Sequence, residues 1–302
     1  MRNFRGLPVI IAGAMSALIG CTAPRSVVNS PDALPKGGFQ AGMGLDVNIP
    51  TATATALYGG LENGIGTLYD RATKDGTAPI TADSLNGYAK ALVAYSLDPL
   101  GTQYSLFARY GFFRGVDAGY RWSGGAHALE TRWQFLGPLA DDSSGEGWRG
   151  SIGLQASTQS FELPSAFGLD KLQSLLKYEF KRKDILVPLI FGKPFGKRGR
   201  FGGFGLGAAY DLGLVEYSSE VLKLVEKLDD GTTRAFAPLQ GKKAISSYGT
   251  FVNLRGGYRW VFLTAAFACY YQDYGRYELF GGKSESLSGM TFLPSFAVET
   301  RF

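Results

Sequence analysis

The chain predicts an all-β fold, an antiparallel transmembrane β-barrel of about 10 strands with short helices in its outer loops. Three observations carry that expectation. Strict period-2 alternation with one wholly apolar face recurs from residue 39 to residue 302, the pattern of strands whose two faces meet different surroundings. Aromatic residues gather near the ends of the alternating segments. The connections between segments are short on one side and long on the other.

Composition sets the bounds. Of 302 residues, 45% are hydrophobic and 19% charged, too apolar a balance for a disordered chain. Beyond residue 20, no uninterrupted apolar run approaches the roughly 20 residues that a spanning helix needs. Glycine is the outlier: 42 residues, about twice the usual share of ~7%. Two cysteines exclude a disulfide-stapled scaffold and a single histidine excludes most His-based metal centres. No cofactor or metal is expected.

Residues 1–20 form a leader. Arg2 and Arg5 supply a positive start, and Leu7–Gly20 is almost wholly apolar or small, as in a signal-peptide core. The run ends Leu18-Ile19-Gly20-Cys21, which resembles the lipobox of bacterial lipoproteins. That resemblance implies cleavage before Cys21, acylation of its thiol and new amino group, and a nearly permanent bilayer anchor. Thr22 at the following position is similar to the sorting pattern that sends Gram-negative lipoproteins to the outer membrane. Residues 21–37, with Pro24, Pro31 and Pro35, are expected to form a lipidated tether. Without Arg2 and Arg5 the mature chain is only slightly basic, which gives no support to nucleic-acid binding.

The barrel is expected over residues 38–302. Its first segment sets Phe39, Ala41, Met43, Leu45, Val47 and Ile49 against Gln40, Gly42, Gly44, Asp46 and Asn48. Residues 50–102 are ambiguous. Leu57, Leu61, Ile65 and Leu68, then Leu85, Tyr88, Ala89, Leu92 and Tyr95, recur at helical spacing, but Gly59, Gly60, Gly64 and Gly66 oppose helix. The same region could supply two more strands and make the barrel twelve-stranded.

Alternation then resumes. Residues 103–112 oppose Tyr104, Leu106, Ala108, Tyr110 and Phe112 to Ser105, Arg109 and Gly111; residues 116–123 oppose Tyr120 and Trp122 to Asp117 and Arg121. Residues 127–136 oppose Leu129, Trp133 and Phe135 to Glu130, Arg132 and Gln134, and residues 148–160 oppose Trp148, Ile152 and Leu154 to Arg149, Gly153 and Gln155. Residues 184–192 are apolar on both faces. Residues 203–216 oppose Phe204, Leu206, Tyr210 and Leu212 to Gly203, Gly205, Gly207 and Asp211. Residues 247–258 oppose Tyr248, Val252 and Leu254 to Asn253 and Arg255, and residues 261–272 oppose Val261, Leu263 and Phe267 to Thr264, Ala268 and Gln272. The last segment sets Met290, Phe292, Pro294, Phe296, Val298 and Phe302 against Ser295, Ala297, Glu299 and Arg301.

A soluble sandwich would also bury one apolar face. Here, however, the polar faces carry glycine, alanine and isolated charges in place of the usual solvated Lys/Glu/Thr mixture. Phe112, Trp133, Phe135, Trp148, Tyr258 and Trp260 mark one rim, and Trp122, Tyr217, Tyr248 and Tyr271 the other. Such girdles around an apolar band belong to membrane barrels. With the N-terminus in the periplasm, connections 113–115, 137–147, 193–202 and 259–260 fall on that side, while 50–102, 161–183, 217–246 and 273–288 fall outside. Only the turn at Gly124-Gly125 is short on the outer side. Short helical patterns at Leu172, Leu175 and Leu176, and at Val221, Leu224, Val225 and Leu228, lie in outer loops. The ending on Phe302 resembles the C-terminal targeting signal of outer-membrane proteins, read by the barrel-assembly machinery. The two resemblances together imply a lipid-anchored protein of the Gram-negative outer membrane.

The expected lumen charge network is Asp46, Arg109, Asp117, Arg121, Glu130, Arg132, Arg149, Asp211, Arg255, Glu299 and Arg301. In a narrow barrel these should pair, because an isolated buried charge is costly. They imply a mostly filled lumen with a structural or interaction role; a narrow channel for small solutes, selecting anions, is the alternative. Enzymatic chemistry is not expected. The outer-membrane protease family (omptins) needs His beside acids, and barrel lipid A deacylases need His beside Ser. The sole histidine, His127, has the lipid-facing parity of Leu129. Gly203-Phe204-Gly205-Leu206-Gly207-Ala208 matches a dinucleotide-binding pattern, but alternation runs through it without the required helix. Asp141-Asp142 and Asp229-Asp230 are expected in solvated turns. Lys181-Arg182-Lys183 and Lys242-Lys243 are candidates for lipopolysaccharide phosphates, and Lys193, Lys197, Arg198 and Arg200 for a membrane-flanking turn.

Overall fold

The computed structural model describes residues 24–61, 74, 78–139, 142, 147–160, 175–196, 199–222, 224–228 and 230–302. The leader, Cys21, Ile65, Leu68, Asp141, Leu172, Lys197, Arg198 and Asp229 lie outside them.

Among the described residues, thirteen strands and two α-helices follow one another: β1 (Phe39–Pro50), α1 (Thr51–Leu61), β2 (Ala78–Ile80), α2 (Ala82–Leu97), β3 (Gly101–Phe113), β4 (Val116–Ser123), β5 (Ala126–Leu136), β6 (Arg149–Ser160), β7 (Glu179–Pro194), β8 (Gly202–Ser219), β9 (Leu224–Lys227), β10 (Thr233–Ala235), β11 (Leu239–Tyr258), β12 (Val261–Glu278) and β13 (Ser284–Arg301). Ten of the strands close into one antiparallel barrel, ordered β1-β13-β12-β11-β8-β7-β6-β5-β4-β3 and back to β1. Closure removes every edge, the condition for strands to cross a bilayer. It also rules out a two-sheet sandwich. The twelve-stranded alternative fails because residues 51–61 and 82–97 are helical.

The periodicities explain that choice. In α2 the spacing of Leu85, Tyr88, Leu92 and Tyr95 forms one buried face, and the Thr81 hydroxyl accepts from the Ser84 amide as an N-cap. Gly59 and Gly60 fall in the last turn of α1 and leave its first turns intact. A second small sheet, ordered β10-β9-β2, lies at the same end of the molecule. It corrects one expectation: Leu224 and Val225 sit on a strand, with Val225 opposite Ala235, because their alternating neighbours pair with residues 78–80 and 233–235.

Strand lengths divide the barrel. β4 has 8 residues and β5 has 11, whereas β8, β12 and β13 have 18 and β11 has 20. About 9–11 tilted residues suffice to cross a bilayer, so the long strands project well past it on the loop side. Outward-facing Met43, Leu106, Leu129, Val252, Leu263 and Phe296 are exposed and form the apolar band. Phe112, Trp133, Phe135, Trp148, Tyr258 and Trp260 ring the short-turn end; Trp122, Tyr248 and Tyr271 ring the loop end. Tyr217 does not join them. It shares the inward parity of Asp211 and is buried against α2, while Tyr210 takes the outward place.

Candidate functional site in the barrel interior

The interior has two layers, and both are occupied. On the loop side an apolar core surrounds α2: Leu85, Tyr88, Leu92 and Tyr95 pack with Leu175, Leu176, Tyr178, Phe180, Val215, Tyr217, Ile245, Tyr274, Tyr277, Phe280 and Leu287. The one buried amide on that helix, Asn86, is satisfied by the backbone of Phe280, accepting from its N–H at 2.8 Å and donating to its carbonyl at 2.9 Å.

The membrane-level layer is polar and holds residues 24–36, a segment expected to be a tether. Arg25, Ser26, Val27, Val28, Ser30, Asp32, Ala33 and Leu34 are all buried inside the barrel. The chain enters at Gly37, whose positive φ of 82° turns it from the lumen into β1. At Gly111 the wall gives way for it: a side chain there would collide with the Pro35 carbonyl.

Each expected lumen charge can now be placed. Asp117 accepts from Arg109 at 2.8 Å, from Arg132 at 2.5 Å and from the Leu34 amide at 2.9 Å. Glu130 pairs with Arg109 and, at 2.9 Å, with Arg121. Arg121 also donates to the Ser26 hydroxyl at 3.1 Å. Glu299 meets Arg255 at 3.2 Å and Arg301 at 3.5 Å. Arg149, Arg255 and Arg301 surround Asp32 at 3.6, 3.9 and 3.1 Å. Asp46 is buried beside Arg121. Asp211 lies 3.4 Å from Arg182 on the loop side, apart from the other ten.

Sequence reading misses five members: Arg25, Asp32, Asp98, Arg182 and Asp184. Asp98, just after α2, is fully buried and accepts from Arg25 and Asn48 at 2.5 Å, Thr291 at 2.5 Å, Tyr274 at 2.7 Å and Gln272. Arg182 pairs with Asp184 at 2.6 Å and donates to the Leu97 carbonyl at 2.5 Å. The triplet around Arg182 is therefore strand, not loop: Lys181 and Lys183 point outward and Arg182 inward. With these additions the interior holds eight arginines (25, 109, 121, 132, 149, 182, 255, 301) and eight carboxylates (32, 46, 98, 117, 130, 184, 211, 299) among the described residues. The arginine excess of the sequence-derived set disappears once Arg182, Asp98 and Asp184 join it, and the N-terminal Arg25 and Asp32 add one charge of each sign.

Other candidates stand apart from this network. His127 is exposed on the outside of β5, its Nδ1 2.5 Å from the Tyr120 hydroxyl, with Trp122 opposite. Gly203, Gly205 and Gly207 are strand residues of β8, paired with β7 and β11. Asp142 bonds Arg114 at 2.5 Å and Asp230 the Thr232 amide at 2.9 Å, both as turn residues. Lys193 and Arg200 are exposed at the short-turn end. No cluster of potential metal ligands occurs among the described residues. Phe302 is exposed, and its backbone bonds Phe39 in both directions at 2.9 and 3.0 Å, joining the chain end to β1.

A closed barrel with an apolar band, aromatic girdles and an internally paired charge network defines a membrane-spanning β-barrel. No protein-family model matches the chain, and no curated protein matches it either. Among solved structures, it is similar to Ail, the attachment invasion locus protein of Yersinia pestis, at 11% identity and TM-score 0.31 over 88% of this chain and 99% of that one. Neisserial surface protein A is matched at 10% identity and TM-score 0.28 over 88% and 96%. A major outer membrane protein from Thermus thermophilus is matched at 13% identity and TM-score 0.29 over 66% and 99%.

Proposed function

We propose that the chain is a lipid-anchored outer-membrane barrel of a Gram-negative envelope, non-conducting, with a structural or interaction role played by its loop end. The loop end faces outward and the short-turn end faces the periplasm, in keeping with the usual asymmetry of such barrels. One observation carries the reading: the barrel interior is occupied by its own N-terminal segment, whose Asp32 sits among Arg149, Arg255 and Arg301 and whose Arg25 meets Asp98. Removing the segment would take Asp32 from Arg149, Arg255 and Arg301 and Ser26 from Arg121. Cys21 supplies the lipid and Phe302 the assembly signal.

The partners are outer-membrane lipids. Outward-facing Lys181, Glu216 and Lys242 lie side by side on β7, β8 and β11, with Lys183 one step nearer the apolar band. They lie four to six residues beyond Tyr210 and Tyr248 along the strands, on the outer side of the girdle, a level that suits the phosphates of lipopolysaccharide.

Planar-bilayer recording tests the closed lumen. The intact protein should stay silent, and stepwise openings should appear only in a form lacking both residues 24–36 and the helix α2, because each layer closes the lumen by itself. Stable openings by the intact protein, abolished by changing Arg109 or Arg255, would establish the channel alternative instead. For the lipid, Cys21→Ser should block both processing and acyl labelling.

A further inference from the structure

The N-terminal segment has a direction. Near the short turns, the Gly37 amide donates to the Gly111 carbonyl at 2.8 Å, and Asp32 sits 3.1 Å from Arg301. Further along, the Ser30 carbonyl accepts from Arg132 and Ser26 from Arg121. At the far end the Tyr270 hydroxyl donates to the Arg25 carbonyl at 2.8 Å, and Arg25 reaches Asp98 at 2.5 Å. Tyr270 adjoins Tyr271 of the loop-side girdle, and Asp98 precedes β3 at its loop end. From Gly37 to Arg25 the segment thus runs from the short turns toward the loop end.

Chain length then limits where Cys21 can be. The nine residue steps of β12 from Val261 to Tyr270, tilted about 40°, rise roughly 23 Å. Cys21 is four residues before Arg25 and can stray at most ~14 Å from it. It cannot reach the short-turn end while residues 25–36 fill the lumen. Acyl chains have no place among the lumen charges either, since apolar chains there would strip these groups of their partners.

One side of the wall is low. The Pro24 carbonyl accepts from Gln155 of β6 at 2.5 Å, and Gln155 pairs with Glu130 of β5, four residues from the strand end at Ala126. There the β4–β5 hairpin closes on Gly124 and Gly125, without the long extensions that raise β8, β11, β12 and β13. We propose that the N-terminal tip leaves the barrel at its outer end, over this rim, so that the lipid on Cys21 enters the outer leaflet. The barrel thereby carries its own anchor through the membrane. This rests on lipid attachment at Cys21, proposed above, and adds the leaflet it enters.

The test places a site-specific protease sequence between Ala23 and Pro24 of the full-length protein, in cells fed labelled palmitate. Protease added to intact cells should remove most of the palmitate label from the barrel band. A matching site in the 195–201 turn should be cut only after the outer membrane is permeabilised. Label lost only after permeabilisation, or kept under both conditions by a heat-modifiable and thus folded barrel, overturns the proposal. Absence of label, indistinguishable from Cys21→Ser, overturns lipid attachment itself and with it the outer-leaflet anchor; the cleavage pattern still reports the direction of the segment. If the insertion blocks folding, Thr22→Lys serves, probed on intact cells with a membrane-impermeant amine reagent and read at that residue by mass spectrometry. Modification supports outward exit; protection until permeabilisation overturns it.

Discussion

The two halves of the barrel solve opposite problems with the same strands. At membrane level the outside is apolar and the inside charged: β11 turns Tyr248, Val252 and Leu254 outward and Ser247, Asn253 and Arg255 inward. Beyond the band the polarity inverts. β8 turns Glu216 outward and Val215 and Tyr217 inward, and β12 turns Asp273, Arg276 and Glu278 outward and Tyr274 and Tyr277 inward. A register shift between Asp273 and Gly275 lets both tyrosines face inward despite their odd spacing. Lipid outside forces polar groups to the interior, where they must satisfy one another. Water outside permits an ordinary apolar core. Asp98 sits at the junction, held by Arg25 from the N-terminal segment and by Asn48, Gln272, Tyr274 and Thr291 from the wall.

The junction should therefore give the largest effect. Asp98→Ala strands Arg25 and four further donors in a dry interior, and breaking such a buried pair costs about 3–5 kcal/mol. Thermal unfolding in detergent, followed by heat-modifiable mobility, should show that loss; an unchanged midpoint would mean the two halves are not joined there. Next comes Leu92→Ala in α2, a cavity of the usual kind worth about 2–5 kcal/mol. Its signature separates the halves. Limited proteolysis of the loop end should accelerate while the membrane-level strands stay protected. If both halves melt together, the apolar layer is not an independent unit.

What is legible in the sequence follows the same division. The outward faces of the membrane-level strands are readable because lipid demands alternation on every strand. The face of α2 is readable because Leu85, Tyr88, Leu92 and Tyr95 keep helical spacing. Pattern misplaces Tyr217 and Leu224, where polarity inverts or a short strand borrows partners distant in sequence. It misses the N-terminal segment because nothing local marks Asp32 as a lumen charge; only the wall around it does. A faint signal is Val27 and Val28, apolar for a solvated tether; they pack against Leu186 and Ile190 and against Phe107. Leu186 and Ile190 are the inward residues of the segment whose sequence is apolar on both faces.

The smallest predicted effect gives the sharpest contrast, because it uses one strand and one substitution. Phe296 and Ser288 both face outward on β13 and both are exposed. Phe296 lies in the apolar band, opposite Leu45 and Ala265, whereas Ser288 pairs with Asp273 beyond it. An arginine near the bilayer midplane costs about 2–4 kcal/mol, and a surface substitution in water stays within about 0.5 kcal/mol. Phe296→Arg should thus lower the unfolding midpoint in lipid vesicles, while Ser288→Arg leaves it unmoved. Beside Asp273 the new charge at Ser288 meets an opposite one, and exposed pairs of that kind contribute little. Equal effects at the two positions would mean that the apolar band extends as far as Ser288, and the boundary between the halves would have to move outward along the strand.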